Sequence, residues 1–266
     1  MIPKRIHYCW FGGNEKSALI LRCIDSWKHL LPDYEIVEWN ETNFDLTFSP
    51  FALAAYDEKK WAFVSDVARL KIVYDHGGIY LDTDVELFSS MSDRYLENNA
   101  FFFFDNIEYL NTGIGFGAEA NSPIIRKLLE DYNERKFDFN NLKQLACPHL
   151  NTLTLQQAFP NLLLNDTSQV IDNTAFLSQA EYGTFAKHYG AFSWRSEEQD
   201  YALKYARKRK HVSRFRKMLR ESSLLSYLET HKLQRIKKVY IFLVYDLFDY
   251  GLLYWIVKIM QKLLGK

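Results

Sequence analysis

The sequence predicts an α/β fold, a mixed sheet flanked by helices and followed by a helical tail that is basic and then apolar. Three observations predict it. Short β-prone segments at 4–11, 34–39 and 79–81 alternate with helical segments at 15–31 and near 64–76. Glycine pairs, Gly12-Gly13 and Gly77-Gly78, stand at two of the junctions. The charge is divided: residues 1–203 hold 17 Lys and Arg against 29 Asp and Glu, whereas residues 204–266 hold 16 against 4. The expected division is one folded domain over 1–195 and a helical appendage over 196–266.

A chain of 266 residues with 48% apolar and 16% aromatic content can bury a substantial core, which excludes a disordered or fibrous protein. Cys9, Cys23 and Cys147 have no metal-ligand spacing, and an odd number argues against a disulfide framework, so a cytoplasmic setting is expected. Met1-Ile2-Pro3 leads straight into a strand pattern without the charged and apolar regions of a secretory signal.

Taken in order, residues 4–11 read as a strand ending at Gly12-Gly13, with His7 a buried structural histidine. Residues 15–31 place Ala18, Leu19, Leu21, Ile24, Trp27 and Leu30 at helical spacing before Pro32. Residues 34–39 alternate as a second strand, and Pro50 opens a short helix.

The next helix carries apolar residues over most of its circumference and is therefore expected to be buried. Lys71 and Asp75 form a solvated stripe. Asp66 and Arg69, three residues apart on the other side, are neighbours inside the protein. Buried charges persist when paired with each other or when they hold a ligand, and both readings stand. Gly77-Gly78 ends the helix with a left-handed cap, and Ile79-Tyr80-Leu81 is a short buried strand. Asp82-Thr83-Asp84 follows at its C-terminal end. On a continuing strand the two carboxylates point to one face, where paired oxygen donors suit Mg²⁺ or Mn²⁺ shared with phosphate oxygens. Glu86 is read as solvent-facing.

The run Ser65-Asp66-x-x-Arg69 with Gly77-Gly78-Ile79-Tyr80-Leu81-Asp82-Thr83-Asp84-Val85 resembles the signature of glycosyltransferase family 32, the sugar transferases with a D-x-D motif. That family includes a yeast Golgi mannosyltransferase and bacterial capsule and O-antigen enzymes, and it is related to the clostridial glucosylating toxins. The resemblance implies a GT-A-like catalytic domain that moves a sugar from a nucleotide diphosphate, with retention at the anomeric carbon. It implies Asp84 as direct metal ligand, Asp82 acting through ribose or metal-bound water, and Asp66 and Arg69 gripping sugar hydroxyls. It further implies that Trp10 stacks on the base and that Asn40 reaches base or ribose, for which a turn-forming role is the equal alternative.

Residues 100–104 are an aromatic strand. Residues 111–118 alternate glycine with apolar residues and read as a closely packed strand, where the resemblance makes Asn111 the candidate facing donor and acceptor. Pro123 starts a helix to Tyr132, residues 151–159 form another, and 168–171 a further strand, all read as scaffold. Residues 187–194 resemble the family's closing segment, in which His188 and Ser193 offer donors to phosphate or lone pairs to metal and Trp194 covers the diphosphate.

Lys204 to Arg220 holds nine Lys and Arg and no acid, and the tail beyond it has no uncharged stretch longer than eight residues. A bilayer span needs about 18. A basic run followed by an apolar helix bearing Trp and Tyr suits an anionic membrane surface on the cytoplasmic side. The alternatives are packing on the catalytic domain or on a second copy of the chain, a homodimer. No nucleic-acid module is present. The expected partners are a nucleotide-sugar donor, UDP-sugar first, and a glycan or lipid-linked glycan acceptor of surface polysaccharide synthesis. The competing classes are a haloacid-dehalogenase-type phosphatase, which also places D-x-D at a strand end, and a non-catalytic membrane-surface module.

Overall fold

The computed structural model describes residues 1–138 and 142–190. Ser193, Trp194 and the whole of the expected appendage over 196–266 lie outside the described residues.

Strands β1 (Arg5–Cys9), β2 (Glu35–Trp39) and β3 (Gly78–Tyr80) form where the sequence places them. They join β5 (Ala100–Phe103), β6 (Phe116–Ala118), β7 (Gln169–Ile171) and β8 (Thr174–Leu177) in a seven-stranded mixed sheet of order β2-β1-β3-β6-β5-β8-β7. β1 is parallel to β2 and β3, and β5 is parallel to β8. β6 lies between β3 and β5 and is antiparallel to both. Within β5, Ala100 and Phe102 enter one core while Phe101 and Phe103 enter the other. That alternation buries both faces of the sheet.

One face is covered by α2 (Pro50–Asp57), α3 (Trp61–His76), α4 (Pro123–Asn133) and α6 (Cys147–Ala158), with the short α5 (Leu142–Leu145) packed on α6. The other is covered by α1 (Ala18–Leu30) and a separate two-stranded sheet of β4 (Val85–Leu87) and β9 (Ala186–His188). A final short helix, α7 (Gln179–Tyr182), precedes β9. Ser17 caps α1 by accepting from the Ile20 amide, and Pro50 occupies the first turn of α2 behind the Ser49 cap. Among the described residues no helix is long and apolar enough to cross a membrane.

Gly77 does end α3, but at φ 63° and ψ −177° it is not a left-handed cap. That backbone region is in essence open to glycine alone. It turns the chain so sharply that a Cβ on Gly77 would lie 2.8 Å from the Ala120 backbone nitrogen. The helix thereby delivers its successor, β3, next to β1.

His7 is the structural histidine expected. Fully buried, its Nε2–H donates to the Gly77 carbonyl at 2.8 Å, and its Nδ1 accepts from Trp39 Nε1–H at 3.0 Å. Burial holds its pKa down at about 4, with the Gly77 hydrogen bond opposing. The unfolded chain binds this proton from about pH 6.5 downward and the folded chain does not, so stability falls as the pH drops through that window. His7 alone is expected to remove about 2 kcal/mol between pH 7 and pH 5. Urea denaturation at the two pH values, compared with His7→Asn, checks it: the variant should show a smaller pH-dependent loss.

Candidate active site

The helix α3 turns Asp66 and Arg69 to the same side, toward the C-terminal end of β3. Their side chains are 9% and 3% exposed, and Arg69 Nη2 reaches Asp66 Oδ1 at 2.9 Å and Asp82 Oδ1 at 3.2 Å. The pair is therefore a triad that joins the helix to the D-x-D segment. Arg69 Nε–H also donates to the Ser65 carbonyl, and the guanidinium lies 4.7 Å from the centre of the Tyr80 ring. Tyr80 O–H donates to Asp82 Oδ1 at 3.1 Å. Such planar, multidentate contacts are what a guanidinium supplies and an ammonium does not.

The D-x-D segment departs from the sequence expectation in its backbone. The chain does not continue as a strand: Asp82-Thr83-Asp84 forms a tight turn closed by the Val85 amide donating to the Asp82 carbonyl at 3.0 Å, and β4 starts a different sheet. The carboxylates converge through the turn and not through strand alternation. They are joined by His188, which β9 places opposite Val85. Ligand atoms of Asp82, Asp84 and His188 all lie within 4.8 Å of one another, and His188 Nε2 is 3.1 Å from Asp84 Oδ1. Two carboxylates and an imidazole in this arrangement form a donor set that fits a divalent cation.

The electrostatics agree with such a site. Burial first, and the Asp82 charge after Arg69's opposing one, push the Asp66 pKa up to about 6. Asp82 is also raised, by burial, with Asp84 adding to it and Arg69 and His188 opposing. For His188, burial works against protonation, but the hydrogen bond to Asp84 and the charges of Asp84, Asp82 and Asp105 outweigh it and hold the pKa above its ordinary value. Each shift reports the same excess of negative charge in a sheltered place.

Residues 17–102 match the family model of the glycosyltransferase sugar-binding region containing the DXD motif. Over this stretch the chain is similar to the glycosyltransferases that carry the region. It is 40% identical over 96 residues to inositol phosphoceramide mannosyltransferase 3 of Schizosaccharomyces pombe, a match covering 32% of this chain and 24% of that protein. It is 29% identical over 185 residues to an uncharacterized glycosyltransferase of Acanthamoeba polyphaga mimivirus, covering 64% of this chain and 71% of that one. Among solved structures it is similar to PaToxG glycosyltransferase, at 21% identity and TM-score 0.48, over 60% of this chain and 70% of that chain. The chain thus spans about a quarter of the length of the first of these relatives.

The remaining predicted positions fall as follows. Trp10 follows β1 at the C-terminal edge of the sheet, half-buried, donating Nε1–H to the Asn14 carbonyl at 2.7 Å, with Lys16 Nζ 5.4 Å from its ring centre. Asn40 follows β2 at the same edge, where its side chain builds a turn by accepting from the Thr42 amide and hydroxyl at 2.9 and 2.7 Å. Of its two readings the turn-forming one describes the bonds it makes. Glu86 stays out of the acidic cluster and binds Arg22 and the Tyr189 hydroxyl.

The expected strand over 111–118 is a strand only at 116–118. Residues 111–115 form a turn beside Asp82, in which Asn111 Oδ1 accepts from the Gly113 amide at 2.8 Å and the Gly113 carbonyl accepts from the Asp82 amide at 3.0 Å. Asn111 is 9% exposed. Gly113 is required by close approach: a Cβ there would sit 2.4 Å from Asp82 Oδ2 and 3.0 Å from Arg69 Nη1. Nothing in the glycine alternation distinguishes Gly113 from its neighbours.

Sequence reasoning read α6 as scaffold alone. This helix starts at Cys147, before the expected 151–159, and its first turn is part of the site wall. The Cys147 thiol accepts from Arg69 Nη1–H at 3.9 Å and donates to Asn111 Oδ1 at 3.4 Å, which sets the first turn of α6 against the guanidinium. Asn151 Nδ2–H donates to Thr112 Oγ1 at 2.8 Å and ties the helix to the 111–115 turn. Burial raises the Cys147 pKa, which keeps the thiol protonated.

Proposed function

We propose that the chain is a retaining, metal-dependent transferase that moves a sugar from a nucleotide diphosphate, a UDP-sugar first, to a glycan or lipid-linked glycan acceptor in surface polysaccharide synthesis. The observation that carries this reading is the convergence of Asp82, Asp84 and His188 within 4.8 Å, next to the Asp66–Arg69–Asp82 triad. The mixture of carboxylate oxygen and imidazole nitrogen suits Mn²⁺ better than Mg²⁺, which favours oxygen alone. Held by these residues, the cation would supply positive charge to the diphosphate leaving group as the glycosidic bond breaks.

The chain's own groups have distinct parts. Asp84 and His188 would hold the cation directly, and Asp82, already held by Arg69 and Tyr80, would act through the ribose or a metal-bound water. Asp66 and Arg69 offer an acceptor and donors to the hydroxyls of the sugar. Trp10 gives the base a flat ring at the same sheet edge, and Asn111 faces the donor from the 111–115 turn. The acceptor attacks from the leaving-group side, so no enzymic nucleophile is used. Ser193 would offer an oxygen donor to the cation and Trp194 an aromatic cover to the diphosphate.

The protein works at the inner face of the cell membrane, its basic and apolar tail over 196–266 resting on the anionic surface. A phosphatase of the haloacid dehalogenase type is disfavoured by the position of the D-x-D after β3, with β1 ending in Cys9-Trp10 and no carboxylate there.

Thermal melting with Mn²⁺ and nucleotides tests this function. Mn²⁺ with UDP or GDP should raise Tm by several degrees, as binding at 100-fold excess over Kd adds about 2.7 kcal/mol. Mn²⁺ with inorganic phosphate should leave Tm near the value with Mn²⁺ alone. Equal shifts from phosphate and nucleotide would contradict the reading, and hydrolysis of UDP- and GDP-sugars in Mn²⁺ then names the donor.

A further inference from the structure

Two of the three converging donors flank strands that meet in the small sheet: Asp84 directly precedes β4, and His188 closes β9. β4 and β9 hold three residues each and, among the described strands, pair only with each other. A two-stranded ladder of that length is marginal by itself. β4 has a second anchor in α1. Trp27 Nε1–H donates to the Val85 carbonyl at 2.7 Å, and Ser26 Oγ accepts from the Leu87 amide at 2.9 Å. β9 is secured at its start, where Phe185 and Ala186 are buried in the core. Its other end, which carries His188, is held by the ladder and by the Tyr189 amide donating to the Asp84 carbonyl at 3.0 Å.

That end has a further fastening on the outer side. Glu86 stands opposite Lys187 in register, so Tyr189, two residues on, is its diagonal neighbour across the strands. The Tyr189 hydroxyl donates to Glu86 Oε2. Arg22, from α1, donates through Nε–H and Nη2–H to the two Glu86 oxygens at 3.0 and 3.4 Å, and through Nη2–H to the Tyr189 oxygen at 3.2 Å. The Arg22 guanidinium lies 5.6 Å from the centre of the Tyr189 ring, and Lys187 Nζ lies 4.5 Å from it. Helix, anchored strand and the residue after His188 therefore close into one polar set. The Arg22 side chain is 57% exposed, and an exposed ion pair adds little to stability. What the set fixes is a position.

We propose that Arg22, Glu86 and Tyr189 are positioning residues of the cation site: they fasten the end of β9 to β4 and α1, and so hold the His188 imidazole at Asp84. The proposal rests on the reading of Asp82, Asp84 and His188 as a cation site. It gives Glu86 a part in that site without placing its carboxylate among the donors. Groups that orient metal ligands from outside the coordination sphere act on affinity because a ligand left to wander must be ordered again on each binding event. Without the fastening, Asp84 keeps its turn and His188 loses its fixed distance from it.

The test uses the full chain, Mn²⁺ alone as probe, and two variants, Tyr189→Phe, which removes one hydroxyl and keeps the ring, and Arg22→Gln. Electron paramagnetic resonance counts free Mn²⁺ during titration, its pulsed form reads the nitrogen coupling of the bound ion at saturation, and melting is followed without metal. The expected result in both variants is an Mn²⁺ Kd weakened about 5- to 10-fold, near the lower end of the effect of such groups, with a shallower nitrogen modulation than wild type and a metal-free Tm within about 4 °C of it. Unchanged affinity overturns the proposal. So does weaker binding with the nitrogen coupling at full depth, since His188 would then have kept its place, and so does a much larger fall in metal-free Tm, which would make the three residues a support of the fold. Failure of the wild type to bind Mn²⁺ saturably, or binding without nitrogen coupling, overturns instead the cation site with His188 in it, and with that this role.

Discussion

Asp84→Ala is expected to lower sugar transfer by at least about 10³-fold while far-ultraviolet circular dichroism stays at the wild-type spectrum. Asp84 stands in the turn between two sheets, with its backbone carbonyl accepting from the Tyr189 amide at 3.0 Å, a bond that the substitution keeps. What it loses is the carboxylate 3.1 Å from His188, and with it one of three converging donors. Removal of one like charge from the cluster relieves repulsion with Asp82, so a large loss of stability is not expected. A donor-consumption assay with Mn²⁺ beside a melting curve checks both halves. Retained transfer would contradict the role of Asp84, and collapse of the melting transition would make that role structural.

Arg69→Met carries the largest expected effect on stability. The side chain is 3% exposed and binds Asp66, Asp82 and the Ser65 carbonyl at once. Methionine fills the space but leaves two buried carboxylates facing each other without a cation. Breaking a buried pair in this way costs about 3–5 kcal/mol, which for a unit of this size lowers Tm on the order of 10 °C. Arg69→Lys should also fail, because one ammonium on a flexible stem cannot reproduce the fork that spans both acids. The double variant Arg69→Met with Asp66→Asn removes one stranded charge and should recover part of the lost stability but no transfer. Equal instability of the single and double variants would show that the packing of Arg69, and not its charge, holds the site.

The part of the site written on contiguous residues was legible before the fold was seen. Asp66 and Arg69 meet because they are three apart on a helix, and Gly77-Gly78 announces the end of that helix and the approach of β3. The D-x-D convergence was reached for a partly mistaken reason. Alternation along a strand would also have aimed Glu86 at the cation, whereas the turn at 82–84 releases Glu86 to Arg22 and Tyr189. A three-residue motif carries too little pattern to separate strand from turn.

What depends on long-range pairing was not legible from local pattern. His188 reaches Asp84 because β9 pairs with β4 about a hundred residues away in sequence, and only the family resemblance pointed to it. Gly113 looks like any glycine in an alternating run until Asp82 and Arg69 are packed against it. Cys147 meets Arg69 and Asn111 through its thiol, at 3.9 and 3.4 Å, because α6 packs beside α3 and the 111–115 turn, and no local pattern announces that contact.

The most direct measurement is anomalous diffraction at the manganese edge from crystals soaked with Mn²⁺ and UDP. The account predicts one strong peak at bonding distance, about 2.0–2.4 Å, from a carboxylate oxygen of Asp84 and from His188 Nε2, with a diphosphate oxygen of the nucleotide completing the contact. A nucleotide bound with no peak at Asp84, or manganese held elsewhere on the chain, would contradict it.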